Sequence, residues 1–296
     1  MIQIDPKMTL EEIIGNKKKF LQEYDIETQF IQAGLKWDRL IAIAQHYDNI
    51  RPEYEKIALD YIKAISDFDH IHSVKYRVKK VDSLLKKIIT KSCDGLEDIE
   101  PIDDSNYMRL ITDLIGIRVL YVFKSDYLVV HNQLMKAYDM QRAEDVHIKL
   151  KTGDDKKIYS GIRKPKPVFD ENSAYRSIHY TLWALKEKNG PKMEIQTRTV
   201  FEEAWSEINH KLVYKHSNSS EYLFLTQAST ILSSLTGECD SLGDLMKMIH
   251  DNHLKRLTEM HSKESQDAVL FYPKELSTIS EQVMKDVMGE FLHRKK

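Results

Sequence analysis

Apolar positions recur at helical spacing through Leu21–Ala44 and Tyr54–Ile65 with few helix breakers, so the chain to about Phe68 reads as helical. Asp67–Ser73 is a short punctuation, and from Tyr76 the texture changes. Asp82 or Ser83 is placed to cap a helix with Leu84, Leu85, Ile88 and Ile89 on one face and Lys86 and Lys87 on the other. Lys91–Ser105 is polar and acidic and reads as a loop. Ile115–Phe123 is β-branched and aromatic, which predicts a buried strand, and Tyr127–Tyr138 predicts a helix. Asp145–Lys151 and Tyr175–Ala184 alternate as half-buried strands, Arg163–Ser173 is a Pro- and charge-rich loop, and Lys192–Gln196 is a short last strand. Thr199 and Glu202 form a capping box for a helix through Tyr214 that should bury Phe201, Trp205, Ile208 and Leu212.

After Ser217–Ser220 the pattern is helical to the last residue. Leu242, Leu245, Met246 and Ile249 make one apolar stripe; Ile279, Val283, Met284, Val287, Met288 and Phe291 make another, and both read as ordinary helix packing. The expected fold class is α+β, a central mixed sheet with helices on it and helical segments at both ends. The expected division is a helical segment over 1–70, a catalytic domain over 71–216 and a helical extension over 217–296.

Composition narrows the class. A 296-residue chain with 42% hydrophobic and 30% charged residues has material for a sizeable core. No apolar run approaches the roughly 20 residues that span a bilayer, and the start lacks the basic-then-apolar order of a signal peptide, so no membrane partner and a cytoplasmic location are expected. Cys93 and Cys239 stand far apart, which excludes a cysteine zinc site and suits a reducing compartment. The net charge of −2 hides a cluster of Lys75, Arg77, Lys79, Lys80, Lys86 and Lys87 against the single acid Asp82. A basic cluster on a near-neutral chain favours a compact anionic ligand over a long nucleic-acid track.

Four islands carry candidate chemistry. Arg77, Lys79, Ser83 and Lys87 bring cations and a hydroxyl to a helix start, where free N–H groups and the dipole favour phosphate; a solvated basic helix face is the plainer alternative. Asp113, Gly116 and Arg118 place an acid just before a buried strand, a position suited to Mg²⁺, and an arginine inside that strand, costly without an anionic or stacking partner. Tyr175, Ser177 and His179 share one strand face as an aromatic platform with polar neighbours, although such residues are also common in purely structural roles. Glu194, Gln196 and Arg198 share one side of the last strand. If that strand lies beside Ile115–Phe123, Glu194 and Asp113 can hold one Mg²⁺ between them.

In these residues the chain resembles the RelA/SpoT synthetase family, makers of the alarmones ppGpp and pppGpp. The resemblance covers roughly Ser73–Lys215 and rests on RxKxxxSxxxK (Arg77, Lys79, Ser83, Lys87), DxxGxR (Asp113, Gly116, Arg118), YxSxH (Tyr175, Ser177, His179) and ExQxRT (Glu194, Gln196, Arg198, Thr199). A closing helix with Trp205, His210 and Tyr214-Lys215 completes it. It implies a nucleotidyltransferase-like fold with a mixed sheet of about five strands. It also implies transfer of the β,γ-diphosphate of ATP to the 3′-hydroxyl of GDP or GTP, with AMP leaving. Arg77, Lys79, Ser83, Lys87 and Arg118 would hold ATP, and Asp113 and Glu194 would serve Mg²⁺ as the catalytic pair. Lys166, Tyr175, Ser177, His179, Gln196 and Arg198 would receive the acceptor nucleotide.

The departures fall on the acceptor side. Ser173-Ala174 stands where the family has Asn-Gly, the loop Lys164–Asn172 is lengthened, and Asn209 replaces a frequent glutamate. The HDxxED motif of the family's hydrolase domain is missing, so a small synthetase-only member is expected. A toxin-like relative acting on tRNA 3′ ends or adenine nucleotides, and restrained by an antitoxin, is the alternative, with Lys17–Lys19 as a local RNA patch. The amphipathic tail allows a homo-oligomer or a cover for the sheet.

Overall fold

The computed structural model describes residues 8–94, 101–137, 143–163, 165–185, 190–213 and 220–264. The chain falls into two compact units, Met1–Leu245 and Met246–Lys296, and the sheet belongs wholly to the first.

Four helices open the chain: α1 (Leu10–Gly15), α2 (Lys17–Glu23), α3 (Glu27–Gln32) and α4 (Trp37–Ser66). A reciprocal capping box between Thr9 and Glu12 starts α1. α4 buries Leu40, Ile43, Tyr47, Tyr54, Ala58, Tyr61 and Ile65, the helical stripe expected from the sequence, and lays it on the first two strands. The chain continues through β1 (Ser73–Val78), α5 (Val81–Cys93), α6 (Tyr107–Leu110), β2 (Ile115–Tyr121), α7 (Tyr127–Ala137) and β3 (Ala143–Lys149). It ends with β4 (Pro167–Asp170), β5 (Ser177–Trp183), β6 (Lys192–Thr199), α8 (Val200–Leu212) and α9 (Ser220–Glu264). Among the described residues no helix is long and apolar enough to cross a membrane.

The sheet has six strands in the order β1-β2-β6-β5-β3-β4. β2 and β6 are parallel neighbours, with β1 and β5 antiparallel on either side. Register assigns the faces. Lys75 pairs with Arg118, Arg77 with Gly116, Gly116 with Glu194, Arg118 with Gln196, and Gln196 with His179. Directly paired residues project to the same side, and so does every second residue along a strand. One face therefore carries Lys75, Arg77, Arg118, Glu194, Gln196, Arg198 and His179. The other carries Ile115, Ile117, Val119, Ile178, Tyr180, Met193 and Ile195, all buried in the hydrophobic core.

Several elements differ from the sequence expectation. The sheet has six strands rather than about five, because Pro167–Asp170, read as loop, pairs in parallel with β3 at the edge. β1 was not anticipated, since its alternation sets cations rather than ordinary polar residues against apolar ones. β5 starts at Ser177, so Tyr175 and Arg176 lie on its approach. β6 runs three residues beyond Gln196, to Thr199.

α8 is rotated from its expected orientation. Phe201, Ile208 and Leu212 are 41%, 44% and 53% exposed, and the inward residues are Glu202, Glu203 and Trp205. The sheet face beneath α8 is cationic, and burying those charges without counter-charge would cost more than leaving three apolar side chains in water. α9 inverts the usual helix pattern as well. Ser229, Ser233, Thr236 and Asp240 are buried, whereas Leu242, Met246 and Ile249 of the predicted packing stripe are exposed. The second stripe, Ile279–Phe291, lies outside the described residues.

Candidate active site

Asp113 occupies the turn between α6 and β2, 9% exposed. β1 runs antiparallel to β2 and ends beside it; the Lys79 N–H donates to the Leu114 carbonyl at 2.9 Å, extending the ladder by one rung. The Tyr47 hydroxyl of α4 donates to the Lys79 carbonyl at 2.7 Å and fixes the exit from β1. Two ammonium groups thereby meet one carboxylate: Lys79 Nζ donates to Oδ2 and Lys87 Nζ to Oδ1, each at 2.7 Å. Arg77 Nη2 stands 3.9 Å from Oδ2, with its side chain 61% exposed. Its stem crosses Gly116, where an added Cβ would sit 3.3 Å from Arg77 Cγ. Gly116 thus serves the close passage of a side chain.

Burial opposes ionisation of Asp113, but Lys79 and Lys87 outweigh it and hold the carboxyl at about 2. Burial lowers the Lys79 ammonium below the usual lysine value, and Asp113 only partly restores it. Ser83 lies exposed in the first turn of α5, which begins at Val81 with Lys80 as its N-cap. Its N–H and hydroxyl both donate to Asp82 Oδ1, at 2.6 and 3.2 Å, and the buried Asp82 also accepts from the hydroxyl of Tyr24, the C-cap of α2.

Glu194 faces the same side as Arg77 and Arg118. Its Oε1 meets His179 Nδ1 at 2.8 Å, and its Oε2 accepts from Gln196 Nε2 at 2.6 Å. Burial raises its pKa, the contacts with His179 and Gln196 lower it by more, and the carboxyl rests at about 2; the charge of Asp113 pushes upward with burial. The two carboxylates therefore feel each other across β2 and β6. Burial keeps His179 below the usual imidazole value despite Glu194. With a carboxylate at Nδ1 the neutral ring places its proton there, which leaves Nε2 a bare acceptor. Nε2 is buried and has no hydrogen-bond partner.

The chain of contacts continues along β6. Arg198 Nη2 donates to Gln196 Oε1 at 2.6 Å, and the Arg198 guanidinium carbon lies 5.5 Å from the Tyr175 ring centre. Lys149 Nζ lies 5.7 Å from the same ring, and the His179 ring stands 6.0 Å away, tilted by 33°. Tyr175 is thus a braced, partly exposed aromatic plate. Ser177 is buried and donates to the Thr197 carbonyl at 3.2 Å, so its proton is used within the sheet. Lys166 is exposed just before β4, at the far edge of the sheet, outside the contacts that join the others. Arg118 Nη1 donates to Glu203 and Glu207 of α8, at 3.0 and 3.1 Å, which gives this strand arginine the anionic partner it required.

Sequence reasoning counted Lys75 only within the basic cluster, and it missed Lys149, Glu203 and Arg176, the last of which clamps Asp154 and Glu202 beneath α8 and α9. The signal for Glu203 was present, since two consecutive acids in a first turn exceed what one helix cap uses.

Residues 76–219 match the family described as a region found in RelA/SpoT proteins. The chain carries a RelA/SpoT region. GTP pyrophosphokinase YwaC of Bacillus subtilis (strain 168) is 27% identical over 175 residues, 58% of this chain and 71% of that protein. GTP pyrophosphokinase YjbM of the same organism is 28% identical over 219 residues, 70% of this chain and 88% of that protein. The crystal structure of small alarmone synthetase 1 from Bacillus subtilis aligns with a TM-score of 0.41 at 23% identity, covering 74% of this chain and 98% of that one. The matched stretch begins within β1 and runs past the end of α8, and so contains every residue of the cluster around Asp113, Glu194 and Tyr175.

Proposed function

We propose that this protein is an ATP:nucleotide 3′-pyrophosphokinase that moves the β,γ-diphosphate of ATP to the 3′-hydroxyl of GDP or GTP. The observation that carries the reading is the meeting of Lys79 and Lys87 on Asp113 within the electrostatic reach of Glu194, one strand away. The two relatives named GTP pyrophosphokinase support it.

On this reading Arg77, the most exposed of the three cations at Asp113, covers the adenine, while Lys79 and Lys87 neutralise the triphosphate with help from Arg118 and the first-turn N–H groups of α5. Tyr175 stacks on the acceptor base with Arg198 and Lys149 at its ring. Asp113 and Glu194 fit a hard divalent cation in donor type, since both offer oxygen donors held ionised, and Lys79 and Lys87 would turn from Asp113 to the phosphates when it binds. Mg²⁺ bound there would supply charge neutralisation on the phosphates.

In the transfer itself the acceptor O3′ attacks the β-phosphorus, the bond from that phosphorus to the α–β bridging oxygen breaks, and AMP leaves with the bridging oxygen. Glu194 at about 2 is a weak base, so its role is to orient the 3′-hydroxyl by accepting its hydrogen bond and to take the proton late. The bare Nε2 of His179 offers a second acceptor beside it. Most of the rate enhancement then comes from positioning and charge, as in other phosphoryl transfers. The test is incubation with labelled ATP, Mg²⁺ and a panel of GDP, GTP, AMP and tRNA. Label entering GDP or GTP supports the reading; label entering only AMP or tRNA assigns a different acceptor.

A further inference from the structure

Glu203 belongs to neither set of nucleotide contacts, yet it touches both. It lies in the first turn of α8 with its side chain 6% exposed. Cations from three adjacent strands converge on it: Lys75 of β1 at 3.1 Å, Arg118 of β2 at 3.0 Å and Arg198 of β6 at 3.8 Å. Lys75 and Arg118 are direct cross-strand partners, an arrangement of like charges that opposes strand pairing unless an anion sits between them. Glu203 is that anion. Its pKa is pushed up by burial and brought below the usual carboxylate value chiefly by Arg118.

The bridge is tight on one side and loose on the other. Arg118 makes a full hydrogen bond to Oε1, whereas the Arg198 contact of 3.8 Å is an ion pair too long to be one. Glu203 Oε2 and Arg198 Nε are both buried, and neither has a hydrogen-bond partner. Buried groups of this kind gain by closing on each other. Arg118 sits on the donor side of the reaction, and Arg198 braces the Tyr175 plate and Gln196 on the acceptor side.

We propose that Glu203 is a positioning residue that couples the two nucleotide half-sites. Donor phosphates draw Arg118 away from Oε1. The carboxylate, then held by the exposed Lys75 alone, closes on Arg198, which fixes the plate against which the acceptor base stacks. Linkage makes the effect reciprocal: the acceptor must tighten the donor by the same factor. The proposal rests on the donor and acceptor assignment made above.

The experiment measures GDP affinity with Mg²⁺, in the absence and at saturation of an α,β-methylene ATP analogue, which cannot release AMP. The wild-type protein should bind GDP about 5-fold or more tightly with the analogue present. Glu203→Gln should still bind each nucleotide alone, with the ratio falling to about 1. Glu207→Gln, which removes only a contact to Arg118, should change the affinity for the analogue and keep the ratio above 1. A purely structural role for Glu203 would alter Tm or both affinities without touching the ratio. A wild-type ratio of 1, or an unchanged ratio in Glu203→Gln, overturns the proposal. If Glu203→Gln does not fold, Glu203→Asp retracts the charge by one methylene, and the same two results decide. Product formed from ATP and GDP with no coupling through Glu203 defeats this inference alone; a wild-type protein that binds neither nucleotide defeats the functional reading with it.

Discussion

Replacing Asp113 by Asn keeps its shape and removes the charge that balances Lys79 and Lys87. Lys79 has a side chain only 10% exposed, so its ammonium would be left in a poorly hydrated place with two of its neighbours cationic. Breaking a buried pair in this way costs about 3–5 kcal/mol. Lys87 is 37% exposed and adds little, because water replaces much of what it loses. The two partners also differ in what they gain. Asp113 is favoured by the contact, but Lys79 loses more in hydration than Asp113 restores, so the triad is worth less than Asp113 alone implies. Urea unfolding followed by tryptophan fluorescence should therefore show Asp113→Asn destabilised by about 3 kcal/mol, and folded at 25 °C if the wild type has ordinary stability. Adding Lys79→Met removes the orphaned ammonium and should recover the loss to within about 1 kcal/mol, while diphosphate transfer stays absent in both variants. Full stability in the single variant, or no recovery in the double, would refute the placement of Lys79 against Asp113.

Three further outcomes follow from the same geometry. Glu194→Gln keeps the contact with Gln196 and loses the charge, and should reduce kcat by about 100-fold or more with nucleotide binding retained; wild-type turnover would remove Glu194 from the chemistry. Tyr175→Ala should raise KM for the acceptor, by about 1–3 kcal/mol of lost stacking, and leave KM for ATP nearly unchanged; an equal rise in both would mean the plate is not on the acceptor side. Burial raises Asp240 to about 7 against an ordinary 3.8, with Glu202 adding to the rise and the Thr199 hydroxyl opposing it. The folded protein therefore holds this proton more tightly than the unfolded chain, so its contribution is complete below about pH 4 and lost as pH rises through 7. Asp240→Asn should then have a higher Tm than wild type at pH 8, with the gap closing toward pH 4; equal Tm values at pH 8 would contradict the buried carboxyl.

Much of this fold is legible where residue chemistry and burial agree. Ile115–Tyr121 declares a buried strand because every second side chain belongs to the core. α4 does so through its apolar stripe. The site residues were legible as types, since an acid before a strand and cations before a helix are physically unusual there. Their joining was legible only as a conditional on strand order and through the family resemblance, because Lys79, Lys87, Asp113 and Glu194 meet through the β1-β2-β6 order, which no local spacing encodes. The misread elements share one cause. β1 presents Lys75 and Arg77, α8 turns Glu202 and Glu203 inward, and α9 buries Ser233, Thr236 and Asp240. A binary pattern assigns charges to solvent; here they face a cationic sheet surface that demands counter-charges. Arg176 makes the case at single-residue scale, with Asp154 and Glu202 each 2.8 Å away. The edge strand β4 escaped for a simpler reason: it is four residues long and begins with proline.

On the proposed function, one triphosphate is gripped at Asp113, Lys79 and Lys87 and its diphosphate is handed to a hydroxyl held at Glu194. Mixing the purified protein with Mg²⁺, GDP and ATP labelled separately in the adenosine and the γ-phosphate tests it most directly. AMP and a guanosine product carrying the γ-label at its 3′ position should appear in equal amounts. ADP with a singly phosphorylated product, or ATP left intact, would contradict it.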